Sequence, residues 1–260
     1  MNGLVGEKGI APGTVAIVMA MKVPDGEDVD FVDKFFKDHM PWMGKTHMGP
    51  EAPKSLAYIV TKMPELKDDQ DPTAGTTGKT LYTLTECYPD GTHAEAHMAE
   101  AGKDKEAGGD ILDRFQTCAG KYGVSSHMMA KVVATMKNPL FSCIANIEPG
   151  CKEISVCYKV PNAEMKDMDK FIADHKAFMD KTHSTSGDEE PVILFYMVTK
   201  MPGDDGFTLY SHTEIFKGQA GIDKHFEVGM ADPIGPRFMD LVGKYSVYKS
   251  IGAEVAYTFG

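Results

Sequence analysis

Six of the nine histidines in this 260-residue chain fall into three pairs set in matching local strings. DHMPWMGKTH (38–47) and DHKAFMDKTH (174–183) carry His39 with His175 and His47 with His183, and a third pair is His97 with His225. An imidazole titrates near neutral pH, so each is a candidate general base or metal ligand. His39 shares a helical stripe with Phe31, Val32, Phe35 and Phe36, one turn before Met43, and His175 lies in the same way among Phe171, Ile172 and Met179. Such a histidine faces whatever the apolar stripe covers. The plainer alternative is a buried neutral ring satisfied by a backbone carbonyl. His47 and His183 end Lys-Thr-His strings eight residues later, just over two helical turns, and share that face if the first helix survives Pro41 and Gly44. The strings suit an anionic or carbonyl ligand, or a helix end where Lys and His complement the dipole. His93 precedes His97 by four residues, a metal-compatible spacing, but Gly221 stands at the matching place. A duplicated metal site is therefore not expected, and no metal is assigned.

Carboxyl and phenol groups recur beside these histidines. In TLYTLTECY (80–88), Tyr82, Leu84, Glu86 and Tyr88 alternate onto one strand face; in TLYSHTEIF (208–216), Tyr210, His212, Glu214 and Phe216 do the same. Tyr58 and Tyr196 fall on a neighbouring strand. If this face meets the helices, each half holds a Tyr-Glu-His set able to take a proton from an activated carbon or to hold a phenol. If it meets the other sheet, the same residues are core, with a buried Glu paired to a Lys or Tyr. The expected assignments are catalytic roles for His39, His175, Glu86 and Glu214. Ligand contacts are expected from His47, His183, Tyr58, Tyr196, Tyr82, Tyr210, His97 and His225.

The elements that must position these residues repeat. MKVP (21–24) returns as YKVP (158–161), VTKMP (60–64) returns unchanged at 198–202, and GKY (120–122) returns at 243–245, each time six residues after an Arg-Phe pair, Arg114-Phe115 and Arg237-Phe238. Collinear blocks of this kind mark a tandem duplication: units over 13–136 and 151–259, joined by 137–150. Apolar β-rich runs, Pro punctuation and helical spacing read as β-α-β-β-α-β in each unit, with a further helix before the last strand. The predicted fold is α+β: two ferredoxin-like units whose antiparallel four-stranded sheets pack face to face as a pseudo-dimeric barrel. The first unit spends 65–79 where the second needs 203–207, which predicts an exposed extra loop.

The string ECYPDGTHAEAHMAE (86–100) resembles the Glu-x-Tyr…His stretch of the antibiotic-biosynthesis-monooxygenase-like family, within the dimeric α+β barrel superfamily. EIFKGQAGIDKHFEV (214–228) keeps it, with Phe216 for the aromatic residue and His225 for the histidine. The resemblance implies a ligand pocket between sheet and helices. It implies a cofactor-free monooxygenase or isomerase acting on an apolar aromatic, quinone-like or polyketide-like molecule. Other members of the superfamily bind haem, with a pocket histidine as axial ligand, or act as stress-responsive ligand-binding barrels without turnover. Fold alone does not choose between these.

Composition excludes other classes. The chain carries 27 basic and 38 acidic residues, a net charge of −11 spread evenly over both halves, so no nucleic-acid partner is expected. No apolar run reaches a membrane span, and the start lacks a secretory leader. The expectation is a cytoplasmic protein, with an organelle left open, and a monomer whose units pair within the chain. Five cysteines, odd in number and without a CxxC pair, are read as reduced thiols. The 18 methionines suit an irregular apolar core. Phosphate-binding Gly-rich loops, GxSxG and HExxH are absent from the sequence.

Overall fold

The computed structural model describes residues 10–47, 52–68, 71–136, 147–204 and 206–259. The first half runs β1 (Val15–Pro24), α1 (Glu27–Thr46), β2 (Ala57–Leu66), β3 (Thr76–Tyr88), α2 (Gly91–Glu106), α3 (Ile111–Tyr122) and β4 (Gly123–Thr135). The second half repeats the order: β5 (Lys152–Pro161), α4 (Met165–Thr182), β6 (Ile193–Pro202), β7 (Phe207–Phe216), α5 (Gln219–Met230), α6 (Ile234–Tyr245) and β8 (Ser246–Phe259). Most of the expected joining segment, 137–146, lies outside the described residues. None of the described helices is long and apolar enough to cross a membrane.

All eight strands form one closed antiparallel barrel in the order β1-β3-β2-β8-β5-β7-β6-β4. Closure changes the expected picture of two sheets that merely face each other. The halves are also hydrogen-bonded along two seams, β2 with β8 (Lys62 opposite Glu254) and β4 with β6 (Val132 opposite Thr199). A strand left at an edge exposes unpaired N–H and C=O groups, and closure removes them. The expected extra loop is also different. Much of 65–79 extends the β2–β3 hairpin, with Leu66 paired to Thr76, around a single 3₁₀ turn at Pro72–Ala74. Thr76, Thr77 and Thr80 are β-branched and favour this extension.

Both faces of the strands are buried, for different reasons. Ala16, Val18, Ala57, Ile59, Cys87, Met197 and Val255 cluster within the barrel. Residues one position along, including Met19, Met21, Tyr58, Val60, Tyr82 and Leu84, pack with Phe35, Phe36 and Met43 of α1. α1 opens with Glu27, Asp28 and Asp30 at its positive end, and it follows Gly26, whose φ of 100° favours glycine. The helix continues through Pro41 to Thr46, at the cost of one backbone bond near Lys37. His47 therefore caps the same helix that carries His39. Arg114 Nη1 on α3 meets Asp38 Oδ2 on α1 at 2.8 Å, and Arg237 Nη1 on α6 meets Asp174 Oδ2 on α4 at the same distance. These pairs explain the repeated Arg-Phe: the arginine ties the last helix of each half to the first, and the adjacent Phe115 or Phe238 packs under it on Phe35 or Phe171.

The inner face also holds one carboxyl group. Glu153 is fully buried, accepts a 2.5 Å hydrogen bond from the Thr61 hydroxyl, and leaves Oε1 without a hydrogen-bond partner. Burial raises its pKa to about 8 from an ordinary 4.5. A raised acid favours folding below its unfolded pKa, and that contribution is lost as pH rises towards its folded value. In Glu153→Gln, the unfolding free energy relative to the native protein should climb by about 1.4 kcal/mol per pH unit between pH 5 and 8. Denaturant titrations at a series of pH values check this, and a pH-independent difference would contradict a neutral Glu153.

Candidate active site

Glu86 on β3 and Glu214 on β7 face the helices, not the barrel interior. Each is 1% exposed and lies under the first helix of its half. In the first half, Glu86 Oε1 is 3.9 Å from His39 Nδ1, and Oε2 is 3.6 Å from His97 Nε2. In the second, Glu214 Oε1 is 3.7 Å from His175 Nε2, and Oε2 is 3.6 Å from His225 Nε2. In both trios the ligand-type atoms lie within 4.8 Å of one another. His39 stacks between Phe35 and Trp42, and His175 stacks on Phe171 and Phe238. Tyr58 and Tyr196 reach the first histidine of each trio, each hydroxyl 3.2 Å from Nδ1.

A relay fixes the third histidine. The Thr46 hydroxyl donates to the Trp42 carbonyl at 2.9 Å, so its oxygen accepts from His47 Nδ1–H at 2.8 Å. His47 Nε2 then accepts from His97 Nδ1–H at 3.1 Å, which leaves His97 Nε2 a bare lone pair facing Glu86. The second half repeats this through Thr182, Phe178, His183 (2.8 Å) and His225 (2.9 Å), so His225 Nε2 presents a lone pair to Glu214. His47 and His183 thus stand behind the site as orienting groups.

Other expected members are placed elsewhere. The hydroxyls of Tyr82 and Tyr210 donate at 2.8 Å to Asp33 and Asp169, near the start of each half's first helix. Four residues of strand separate them from the glutamates, roughly 13 Å, so they pin helix to strand and do not reach the histidines. His93 turns outward and accepts from the Lys54 N–H. Two close neighbours were not among the expected site residues. The Tyr88 hydroxyl donates to Glu86 Oε2 at 2.6 Å, and His212 Nε2 lies 2.9 Å from Glu214 Oε1. Both sit on the alternating face already read from the sequence. Each occurs in one half only, with Phe216 and Leu84 at the matching positions, so a search for repeated residues passes over them.

The two carboxyls are shifted in opposite directions. Burial raises Glu86 to about 7, against a smaller lowering by the Tyr88 hydrogen bond. Burial also disfavours the Glu214 anion, but His225, His212 and His175 outweigh it and hold this carboxyl well below its ordinary range. Burial lowers His39 and His175 far below 6.5, and brings His47, His97 and His183 to about 4.

A narrow cavity of about 280 Å³ reaches His39, Glu86 and His97 beneath Ile111, Leu112 and Phe115. One of about 290 Å³ reaches His175 and His225. Phe226, Met230, Phe238 and Met239 line both the latter and a surface cleft of about 1020 Å³, so they form its neck. These volumes include space open to solvent, and the enclosed room beside the histidines holds about one water in each half.

A histidine kept neutral by burial favours the folded state above its unfolded pKa, and this contribution is lost as pH falls. The urea midpoint should therefore drop steeply between pH 6.5 and 4, and less steeply in the double variant His97→Gln, His225→Gln. Equal slopes would contradict buried neutral rings.

No family model and no curated protein matches the sequence. Among solved structures, a candidate monooxygenase from Fusobacterium nucleatum subsp. nucleatum is similar over 96% of this chain and 95% of its own, at 10% identity and a TM-score of 0.52. A candidate monooxygenase from Lactobacillus acidophilus aligns over 94% and 93%, at 9% identity and a TM-score of 0.47. The first shows a shared fold over nearly the whole chain.

Proposed function

We propose that the chain is a tandem of two ferredoxin-like units, 13–136 and 151–259, and that it is a small-molecule enzyme transferring protons at the Glu86–His39 group. The supporting strand orders are β4-β1-β3-β2 and β8-β5-β7-β6, each with its helices on one face. Because the barrel closes within one chain, a monomer suffices.

The observation that carries the catalytic reading is the state of Glu86. A buried carboxyl with a pKa of about 7, at the end of an apolar cavity, is half ionised near neutral pH. A general base is most effective when its pKa lies near the working pH. The Glu86 carboxylate, held by the Tyr88 hydroxyl, accepts the proton of an activated C–H or phenol, and the negative charge passes to the substrate. His39, neutral and stacked between aromatic rings, sits 3.9 Å away to relay that proton or hold the substrate oxygen. Phe115, Leu112 and Ile111 give the approach to the site an apolar lining. The fate of the carbanion, oxygenation or isomerisation, follows from the substrate's own reactivity. The fold shared with a candidate monooxygenase agrees with this reading but does not choose the substrate.

The test is a panel of quinols and polyketide-like aromatics, followed by oxygen uptake and product formation. Turnover should rise with pH through about 7, because the base must be ionised. It should fall 10²–10⁴-fold in Glu86→Gln, with the pH dependence lost. Undiminished turnover in Glu86→Gln would remove Glu86 from the mechanism.

A further inference from the structure

The second half differs from the first at two positions around its glutamate, and both changes act on the same few ångströms. Where Tyr88 donates a proton to Glu86, Phe216 offers nothing to Glu214, and Glu214 Oε2 is buried without a hydrogen-bond partner. Where Leu84 is inert, His212 brings a ring nitrogen to 2.9 Å from Glu214 Oε1. That contact is not aligned as a hydrogen bond, and His212 Nε2 is itself without a partner. The relay through Thr182 and His183 makes His225 Nε2 a lone pair, 3.6 Å from the orphaned Oε2. Two acceptors thus face each other in a dry site with no hydrogen between them, an arrangement that costs free energy unless a cation joins them.

We propose that the second half binds one divalent first-row transition metal ion, ligated by His175, His225 and Glu214, with His212 beside the same carboxylate as a further donor. Donors held about 2.0–2.1 Å from a tetrahedral ion lie roughly 3.3–3.5 Å from one another. The separations to the glutamate are 2.9 and 3.7 Å at Oε1 and 3.6 Å at Oε2, near that value at both carboxylate oxygens. Three imidazoles and one carboxylate are the ligand types that such ions take. The surrounding support is present as well. His225 is oriented from Nδ1 by His183, and His175 from Nδ1 by Tyr196, the outer contacts that fix ligand tautomers. An entry path runs from the surface cleft past exposed Met230 and Met239 to His175 and His225. The first half lacks the fourth donor, and its carboxyl is capped by Tyr88, so it keeps its proton chemistry. The metal site does not depend on that chemistry.

The test uses the full chain, freed of metal with a chelator and titrated with Co(II) at pH 7.5. The readouts are equilibrium dialysis and the visible ligand-field bands that distinguish four-coordinate cobalt. The expected result is one Co(II) per chain with intense bands and a raised melting temperature. Binding should be lost in Glu214→Gln and weakened at least tenfold in His212→Leu, and should be unchanged in Glu86→Gln. Phe216→Tyr, which gives Glu214 the phenol that caps Glu86, is a gentler variant and should also weaken binding, with the fold checked by circular dichroism. Absence of bound cobalt would overturn the proposal. So would cobalt held equally by Glu214→Gln, or cobalt lost in Glu86→Gln and retained in Glu214→Gln. No arm depends on turnover, so failure of the catalytic reading would leave this result intact, and the reverse also holds.

Discussion

A carboxyl group taken out of water beneath a layer of helices has to be neutral or be matched by positive charge. Glu86 and Glu214 are both placed under this constraint, each 1% exposed on the helix-facing side of the third strand of its half. The first half meets it with a proton, burial outweighing the pull of the phenol at 2.6 Å towards the anion. The second crowds three imidazoles around its carboxylate, where the proposed metal ion supplies the positive charge. One backbone arrangement therefore supports two electrostatic solutions, and the halves differ around the carboxyl in two side chains, Tyr88 against Phe216 and Leu84 against His212.

The rest of the structure keeps those glutamates dry and their partners aimed. Among the described residues, the helices cover each glutamate's strand face. The first helix of each half is held to that face near its start by Tyr82–Asp33 or Tyr210–Asp169, and further along by Arg114–Asp38 or Arg237–Asp174. Exposed ion pairs contribute little to stability singly. Here Arg114, only 13% exposed at its side chain, sets the position of α3 over the cavity. The Thr-His-His relay then removes the freedom of the last imidazole to choose its tautomer.

Much of this was legible before any coordinates. The repeated strings located the elements, and the helical period put His39 and His175 on buried stripes. Strict alternation placed Glu86 with Tyr82 and Tyr88 on one face. It did not show which side of the sheet that face met, because Thr83, Thr85 and Cys87 on the opposite face are equally buried. Polarity carries no signal when both faces are dry. Tyr82 shares the face of Glu86 but lies a full strand segment away, and spacing alone does not separate sharing a face from sharing a site. His212 and Tyr88 stood in plain view on the alternating face, but repetition was the filter, and the residues that distinguish the halves are by definition unrepeated. The seams between β2 and β8 and between β4 and β6 depend on closure in three dimensions, which local patterns do not encode.

The central claim is that two glutamates in equivalent places hold opposite protonation states. Carbon-13 labelling of the glutamate side-chain carboxyl, with NMR titration and assignment through Glu86→Gln and Glu214→Gln, measures this directly. The account predicts that the Glu86 carboxyl resonance stays at its protonated position until it titrates near pH 7, while that of Glu214 remains at its ionised position wherever the protein is folded. Two resonances titrating together, at any pH, would contradict it.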